Sequence, residues 1–284
     1  LNRENIFIQR GSLRPGKFPN GIPPEGALPT GHPHLWIFDP GTRMWATYIL
    51  SPGLEEIFNG LRRSASYLKR CDLEVIEILA HARILVPSGY AASRDHYWSR
   101  TLKRLHKSLV LNKFTVLPGI LSPMQIAILR QYFRALEASG SLTVDKEQVR
   151  YKRYFMHNNP LLRFVHRQSG NLVRRVSGQP ILPSYTYLSA YMEGADLPRH
   201  KDRPQCAWNA SLLIDQLPEV AVEDSWPMYL QTQAKVHEVR LDFGDAVFYS
   251  GSSLPHWRRQ ITKGHRQTLG LLHYVPIDFT GGLD

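Results

Sequence analysis

The sequence predicts an α+β fold: an antiparallel jelly-roll or barrel of short strands in its C-terminal half, supported by helices. Beyond Gly178, short runs rich in aromatic and branched residues follow one another, separated by Gly, Pro, Asp and Ser. Ahead of them, two segments repeat apolar residues at helical spacing between clear start and stop signals. Further forward, a hairpin and helices between His34 and Val86 set a small separate module in front of the barrel.

In order, residues 11 to 33 hold six prolines and five glycines with few large apolar side chains, so residues 1 to 33 read as an irregular arm. Leu35 to Phe38 and Met44 to Leu50 read as strands around the turn Asp39-Pro40-Gly41-Thr42. Ser51-Pro52 then joins an N-cap to a first-turn proline, and Leu54, Ile57, Phe58 and Leu61 share a helix face. Asp72 caps a second helix through Leu73, Ile76, Leu79 and Ala80. On pattern alone residues 34 to 95 resemble a small winged-helix module of the kind that recognises precursor peptides, or an accessory domain that covers the barrel. Residues 96 to 284 form the main domain.

Trp98 to Leu111 reads as a basic amphipathic helix and Phe114 to Leu117 as a strand. Ser122-Pro123-Met124-Gln125 is a capping box ahead of Ile126, Leu129, Tyr132, Phe133 and Leu136, and Gly140 ends that helix. Asn159-Pro160 opens a further helix that closes at Gly178. The strands expected after it are Tyr185 to Met192, Ala207 to Ile214, Met228 to Gln231, Val236 to Leu241, Ala246 to Tyr249, Trp257 to Ile261 and Gln267 to Val275.

Composition narrows the setting. No run approaches the roughly 18 apolar residues of a membrane span. Two cysteines, Cys71 and Cys206, are too few for a disulfide framework and suit a reducing, cytoplasmic environment. The sequence opens on Leu1, and targeting is not read from it. A formal charge of +11 admits nucleic acid or an acidic substrate as partner, and its basic clusters are spread along the chain as solvated faces often are.

Chemistry gathers at Leu-Pro-Arg-His-Lys-Asp, residues 197 to 202. His200 and Asp202 stand two apart, so on an extended chain both side chains leave one face and can bind one ion. Taken singly, such a triplet suits a surface turn equally well. His256, 54 residues past Asp202 and after Ser252-Ser253-Leu254-Pro255, supplies a third ligand. Two histidines and a carboxylate with open positions form the facial set used for Fe(II) oxygen chemistry. Ten residues past His256, Arg266 can clamp a carboxylate at two points. Arg258 and Arg259 are rivals for that role, and spacing favours Arg266.

With these residues in place, Phe114 to Val275 resembles the Fe(II)/2-oxoglutarate-dependent dioxygenases of the prolyl 4-hydroxylase type. The blocks that carry the resemblance are F-T-V-L-P-G-I-L-S-P-M-Q, Y-M-E-G-A-D-L-P-R-H-K-D, L-D-F-G-D-A-V-F-Y and L-P-H-W-R-R-Q-I-T-K-G-H-R. The resemblance implies a double-stranded β-helix, with His200, Asp202 and His256 as iron ligands and Arg266 on the distal carboxylate of 2-oxoglutarate. Tyr191 and Tyr187 would help bind that cosubstrate or pack inside the barrel. Fe(II), 2-oxoglutarate and O2 would serve as cofactors, with ascorbate as a stimulant. The expected activity is hydroxylation or another oxidation of an unactivated C–H in a peptide, a protein or a small natural product.

One departure is D-S-W-P-M-Y-L, where many members carry a Gly-Gly-rich stretch. Two alternatives stand beside this reading. A nucleic-acid-binding or nucleic-acid-modifying oxygenase would use the basic surface, but the stretch after His256 lacks the further arginine pattern typical of that group. A non-catalytic barrel whose metal is zinc or absent is opposed by the intact ligand set together with Arg266.

Overall fold

The computed structural model describes residues 1–2, 5–9, 33–144 and 152–284. Most of the expected arm, residues 10–32, lies outside the described residues. Two compact units make up the chain: residues 1–100 with 122–125, and residues 101–121 with 126–284. The first therefore reaches past the expected limits of 34 and 95 at both ends.

The first unit is built on an antiparallel sheet of β1 (Ile6–Gln9), β2 (His34–Phe38) and β3 (Trp45–Ile49), in that order. The hairpin joining β2 and β3 was expected, and its turn closes with the Gly41 amide donating to Asp39 Oδ1 at 2.9 Å. Strand β1 corrects the arm reading, because Ile6 pairs with Ile37 and Ile8 with Leu35. Four residues are too few to show a period, and the partner strand lies beyond the Pro/Gly-rich stretch. Helix α1 (Pro52–Arg63) starts as expected, with Ser51 Oγ accepting from the Leu54 amide. Helix α2 (Leu73–His81) starts after Asp72, whose side chain makes no capping bond. Leu35, Ile37, Phe58, Leu61, Leu79 and Ile84 form this unit's core. Beside it the buried carboxylate of Asp39 accepts from Arg83 and Arg94, and those two guanidiniums hold its pKa below the usual range despite burial.

Helix α3 (Tyr90–Asn112) begins eight residues before the expected Trp98. The second unit contains β4 (Phe114–Leu117), most of α4 (Pro123–Ala138), β5 (Thr143–Val144), β6 (Arg153–His157) and α5 (Pro160–Ser177). The strands that follow are β7 (Ile181–Tyr191), β8 (Leu197–His200), β9 (Trp208–Leu217), β10 (Met228–Gln231), β11 (Val236–Val239), β12 (Ala246–Tyr249), β13 (His256–Arg258) and β14 (Arg266–Pro276). They pair antiparallel into a seven-stranded sheet, β4-β12-β9-β14-β7-β6-β5, and a four-stranded sheet, β11-β10-β13-β8. Leu213, Val247, Tyr249 and Leu269 of the large sheet and Met228, Leu230 and Val239 of the small one form a single core. That arrangement is the jelly-roll expected from the strand pattern.

Helices support the large sheet. The capping box of α4 closes in both directions, the Gln125 amide donating to Ser122 Oγ and the Ser122 amide to Gln125 Oε1. Asn159 caps α5 by accepting from the Leu161 and Leu162 amides, and Gly178 ends it with φ 67°. Helix α5 packs on β7, and its Leu162, Val165, Leu172 and Val176 are buried. His166 Nε2 meets the His273 carbonyl at 2.7 Å, which ties the helix to β14. Among the described residues, no helix is long and apolar enough to cross a membrane.

Candidate active site

The site begins with strand register. In the small sheet β13 pairs with β8 so that His256 stands directly opposite His200. Their rings come to 4.3 Å between centroids. Just past β8, the Asp202 amide donates to the Gly251 carbonyl at 3.0 Å, which draws its carboxylate back towards the pair. Asp202 Oδ1 then lies 3.4 Å from His200 Nε2 and 3.5 Å from His256 Nε2. One ligand atom from each of the three residues falls within 4.8 Å of the others.

Proton placement favours a cation at the centre. His200 Nδ1 is 2.8 Å from the Pro198 carbonyl and His256 Nδ1 is 2.9 Å from that of Leu254. A carbonyl only accepts, so each Nδ1 carries the hydrogen and each Nε2 turns a lone pair towards Asp202. Two lone pairs and a carboxylate facing one another at such distances suit a metal ion better than one another. Burial alone would raise the Asp202 pKa, yet the two imidazoles it faces, each able to donate from Nε2 once protonated, outweigh burial and hold the group well below its ordinary range. For His200, burial is likewise outweighed by Asp202 and the Pro198 carbonyl, and the net shift is upward.

Close approach is needed at Gly251. A Cβ there would meet Asp202 Oδ2 at 2.3 Å and the Cys206 carbonyl oxygen at 2.5 Å. Asn209, on β9, donates to Asp202 Oδ2 at 3.4 Å and to Tyr249 Oη at 2.8 Å. Sequence reasoning missed both residues. A trace of Asn209 was legible, since it and Ser211 are the polar positions in the otherwise apolar stretch Ala207 to Ile214.

The three ligands line a cavity of about 1030 Å³ in the second unit. Tyr191 and Tyr187 line it too. Arg266 does not: its guanidinium donates to Glu137 Oε1 of α4 at 2.7 Å. Its rival Arg258 takes the inward place. Leu269, Leu271 and His273 of β14 line the cavity, so the alternation of that strand turns Arg266 outward. Arg258, two residues past His256, shares that ligand's inward face. The separation of ten residues could not report this parity, which depends on where β14 begins.

Arg258 is only 4% exposed. Its Nη1 donates to the Trp226 carbonyl at 3.0 Å and to Gln267 Oε1 at 3.1 Å, and its guanidinium lies 4.8 Å from the Trp226 ring centre. Among the described residues no carboxylate lies within ion-pair distance of it. Burial lowers its pKa to about 10, so it stays charged at neutral pH. A buried cation left in this state costs several kcal/mol. The cavity is thus prepared for an anion at Arg258.

No family model matches the chain, and neither does any curated protein. Solved structures do. SnoN, a non-haem alpha-ketoglutarate-dependent epimerase of nogalamycin biosynthesis, is 13% identical with a TM-score of 0.52, over 63% of this chain and 82% of its own. HygX from Streptomyces hygroscopicus, solved with nickel and 2-oxoglutarate bound, is 13% identical with a TM-score of 0.51, over 63% and 88%. A prolyl-4-hydroxylase from Pseudomonas putida is 16% identical with a TM-score of 0.50, over 61% and 99%. At these identities the likeness is one of fold, the double-stranded β-helix that this chain shares with the three proteins.

Proposed function

We propose that the second unit is an Fe(II)/2-oxoglutarate-dependent oxygenase that oxidises an unactivated C–H bond, in an amino-acid residue or a small natural product. One juxtaposition carries the reading: His200, Asp202 and His256 converge in the same cavity as a buried guanidinium that no carboxylate neutralises among the described residues. Either feature alone would fit a structural metal or a strained core. Together they match a cosubstrate that needs a metal at one end and a cation at the other.

In this reading His200 Nε2, Asp202 and His256 Nε2 would hold Fe(II). Bound iron supplies the oxidation, coupling conversion of 2-oxoglutarate and O2 into succinate and CO2 to attack on the substrate C–H. The protein's own part is placement. Arg258 receives the distal carboxylate of 2-oxoglutarate with the N–H groups that Trp226 and Gln267 leave over. Gln267 and the Trp226 carbonyl fix the plane of that fork, so little side-chain freedom is lost on binding. Tyr191, buried beside Arg258, closes the same end of the cavity. The carbonyls of Pro198 and Leu254 keep both imidazoles in the tautomer a metal requires.

The test is turnover of 2-oxoglutarate. Protein loaded anaerobically with Fe(II) and then exposed to air should release CO2 from 2-oxoglutarate slowly without any substrate. His200→Ala, Asp202→Ala and His256→Ala should each abolish that release and metal binding with it. Arg258→Gln should raise the 2-oxoglutarate requirement by about 10- to 100-fold, the worth of a hydrogen bond to a charged group. Arg266→Gln should leave it where it was. No CO2 release from the iron-loaded protein would end the oxygenase assignment, and a change with Arg266 instead of Arg258 would return the clamp to β14.

A further inference from the structure

The cavity holds more than a five-carbon keto acid fills. Sites that take a small molecule whole run to roughly 1,000 Å³, and the open cavity here measures about 1030 Å³. Its wall away from Arg258 is the inner face of β6 and the adjoining stretch of β7. There Phe155 stacks on Tyr187, ring centroids 4.9 Å apart and planes 7° from parallel, and His157 meets Tyr185 at 5.1 Å. Cations lie against this aromatic shelf. The Arg153 guanidinium is 5.2 Å from the Tyr187 ring centre, and that of Arg203 is 4.8 Å from Tyr185. Arg203 Nε also donates to Tyr185 Oη at 3.2 Å. Lys201, between two of the metal ligands in sequence, lines the same cavity.

The signs of these charges decide the matter. Among the described lining residues Asp202 is the one acidic side chain, and it faces the two histidines. Given the oxygenase reading, on which this inference rests, a metal dication, a dianionic keto acid, Asp202 and Arg258 cancel. Lys201 and Arg203 then add positive charge to the remainder of the cavity. A concave wall of one sign concentrates the opposite ion, and arginine over aromatic rings also grips a flat body.

The geometry points to an organic acid as substrate, its flat apolar body on the Phe155–Tyr187–Tyr185 shelf and its carboxylate or phosphate on Arg203 and Lys201. A neutral substrate would gain nothing from those two side chains, which stay exposed to water, and a cationic one would be repelled by them.

The experiment pairs acids with neutral molecules of the same shape. The full chain is loaded anaerobically with Fe(II) and 2-oxoglutarate, and the visible charge-transfer band of that complex is recorded. Absence of the band overturns the oxygenase reading and this inference together. With the band present, 3-phenylpropionate, cinnamate, indole-3-acetate and phenyl phosphate are added, each carboxylate beside its carboxamide. The acids should shift the band and speed succinate formation in air, while the carboxamides at equal concentration do neither. Carboxylate and phosphate are told apart by which of them acts at the lower concentration. Arg203→Gln should raise the half-saturating concentration of the acid by about tenfold, and Arg203→Lys should restore most of the loss. Arg203→Glu should turn the preference towards phenethylamine. An equal response to acids and carboxamides, absence of any response included, overturns this inference alone, as does an acid preference that Arg203→Glu leaves unchanged.

Discussion

Gly251 carries more of the site than its size suggests. In Gly251→Ala the new methyl would lie at 2.3 Å from Asp202 Oδ2, so the carboxylate or the strand end has to move. We expect this change to lower metal affinity at least about tenfold, within the range seen when groups that orient ligands are altered. Metal titration of the folded variant, with circular dichroism to confirm the fold, reads that loss directly. At this scale the sequence was informative about chemistry and blind to facing. His200 and Asp202 were legible because two residues on an extended chain share a face whatever the register. Arg258 and Arg266 were not separable by counting, because what divides them is the parity of two strands whose starting points only the folded sheet defines. Gly251 was illegible for a related reason: its neighbour Asp202 lies 49 positions away in the chain.

Helix α5 holds β7 and β14 from outside the barrel, and Asn159 starts it. Its side chain accepts from two amides of the first turn and donates to Tyr132 Oη at 3.0 Å, all while wholly buried. Asn159→Ala should therefore cost about 1–2 kcal/mol, measured as the shift in urea midpoint. Asn159→Asp should recover the capping part and leave the Tyr132 hydroxyl without its donor. Elements with such end signals were readable: α4 and α5 begin and end within a residue or two of expectation. Strand β6 was not foreseen. Its inner positions, Arg153, Phe155 and His157, face a cavity instead of a core, so Arg-Tyr-Phe-Met-His shows no alternation of apolar and polar residues. The element that furnishes the proposed substrate wall is the one a hydrophobic pattern was least able to announce.

For the molecule as a whole, mild acid should act through the second unit. Burial holds the His166 pKa down to about 3 and that of His273 to about 4, against an ordinary 6.5. Unfolded chains take up protons near the ordinary value that the folded unit refuses, so the unfolded state binds more protons as pH falls. Stability is then full above about pH 6.5 and declines below it. Urea midpoints at pH 7 and pH 5 should differ, and His166→Gln should narrow the gap, since it removes one of the two groups. At this scale the strand pattern announced the barrel, whereas the Pro/Gly-rich stretch proved no boundary, since Ile6–Gln9 and β2 on its two sides share one sheet. That pairing stayed hidden because it spans the stretch, and short-range signals end there.

One consequence of the register between β8 and β13 reaches beyond catalysis. An ion held by His200, Asp202 and His256 ties together points 56 residues apart in the chain, and so acts as a reversible crosslink. Its strength is set by concentration: at one hundred times its dissociation constant a ligand that binds only the native state adds about 2.7 kcal/mol. The melting temperature of the protein should climb with added Ni(II), a dication without turnover chemistry of its own, and that climb should vanish in His256→Ala. Iron in this fold would then do two jobs, and a chain starved of it would be both inactive and more easily unravelled.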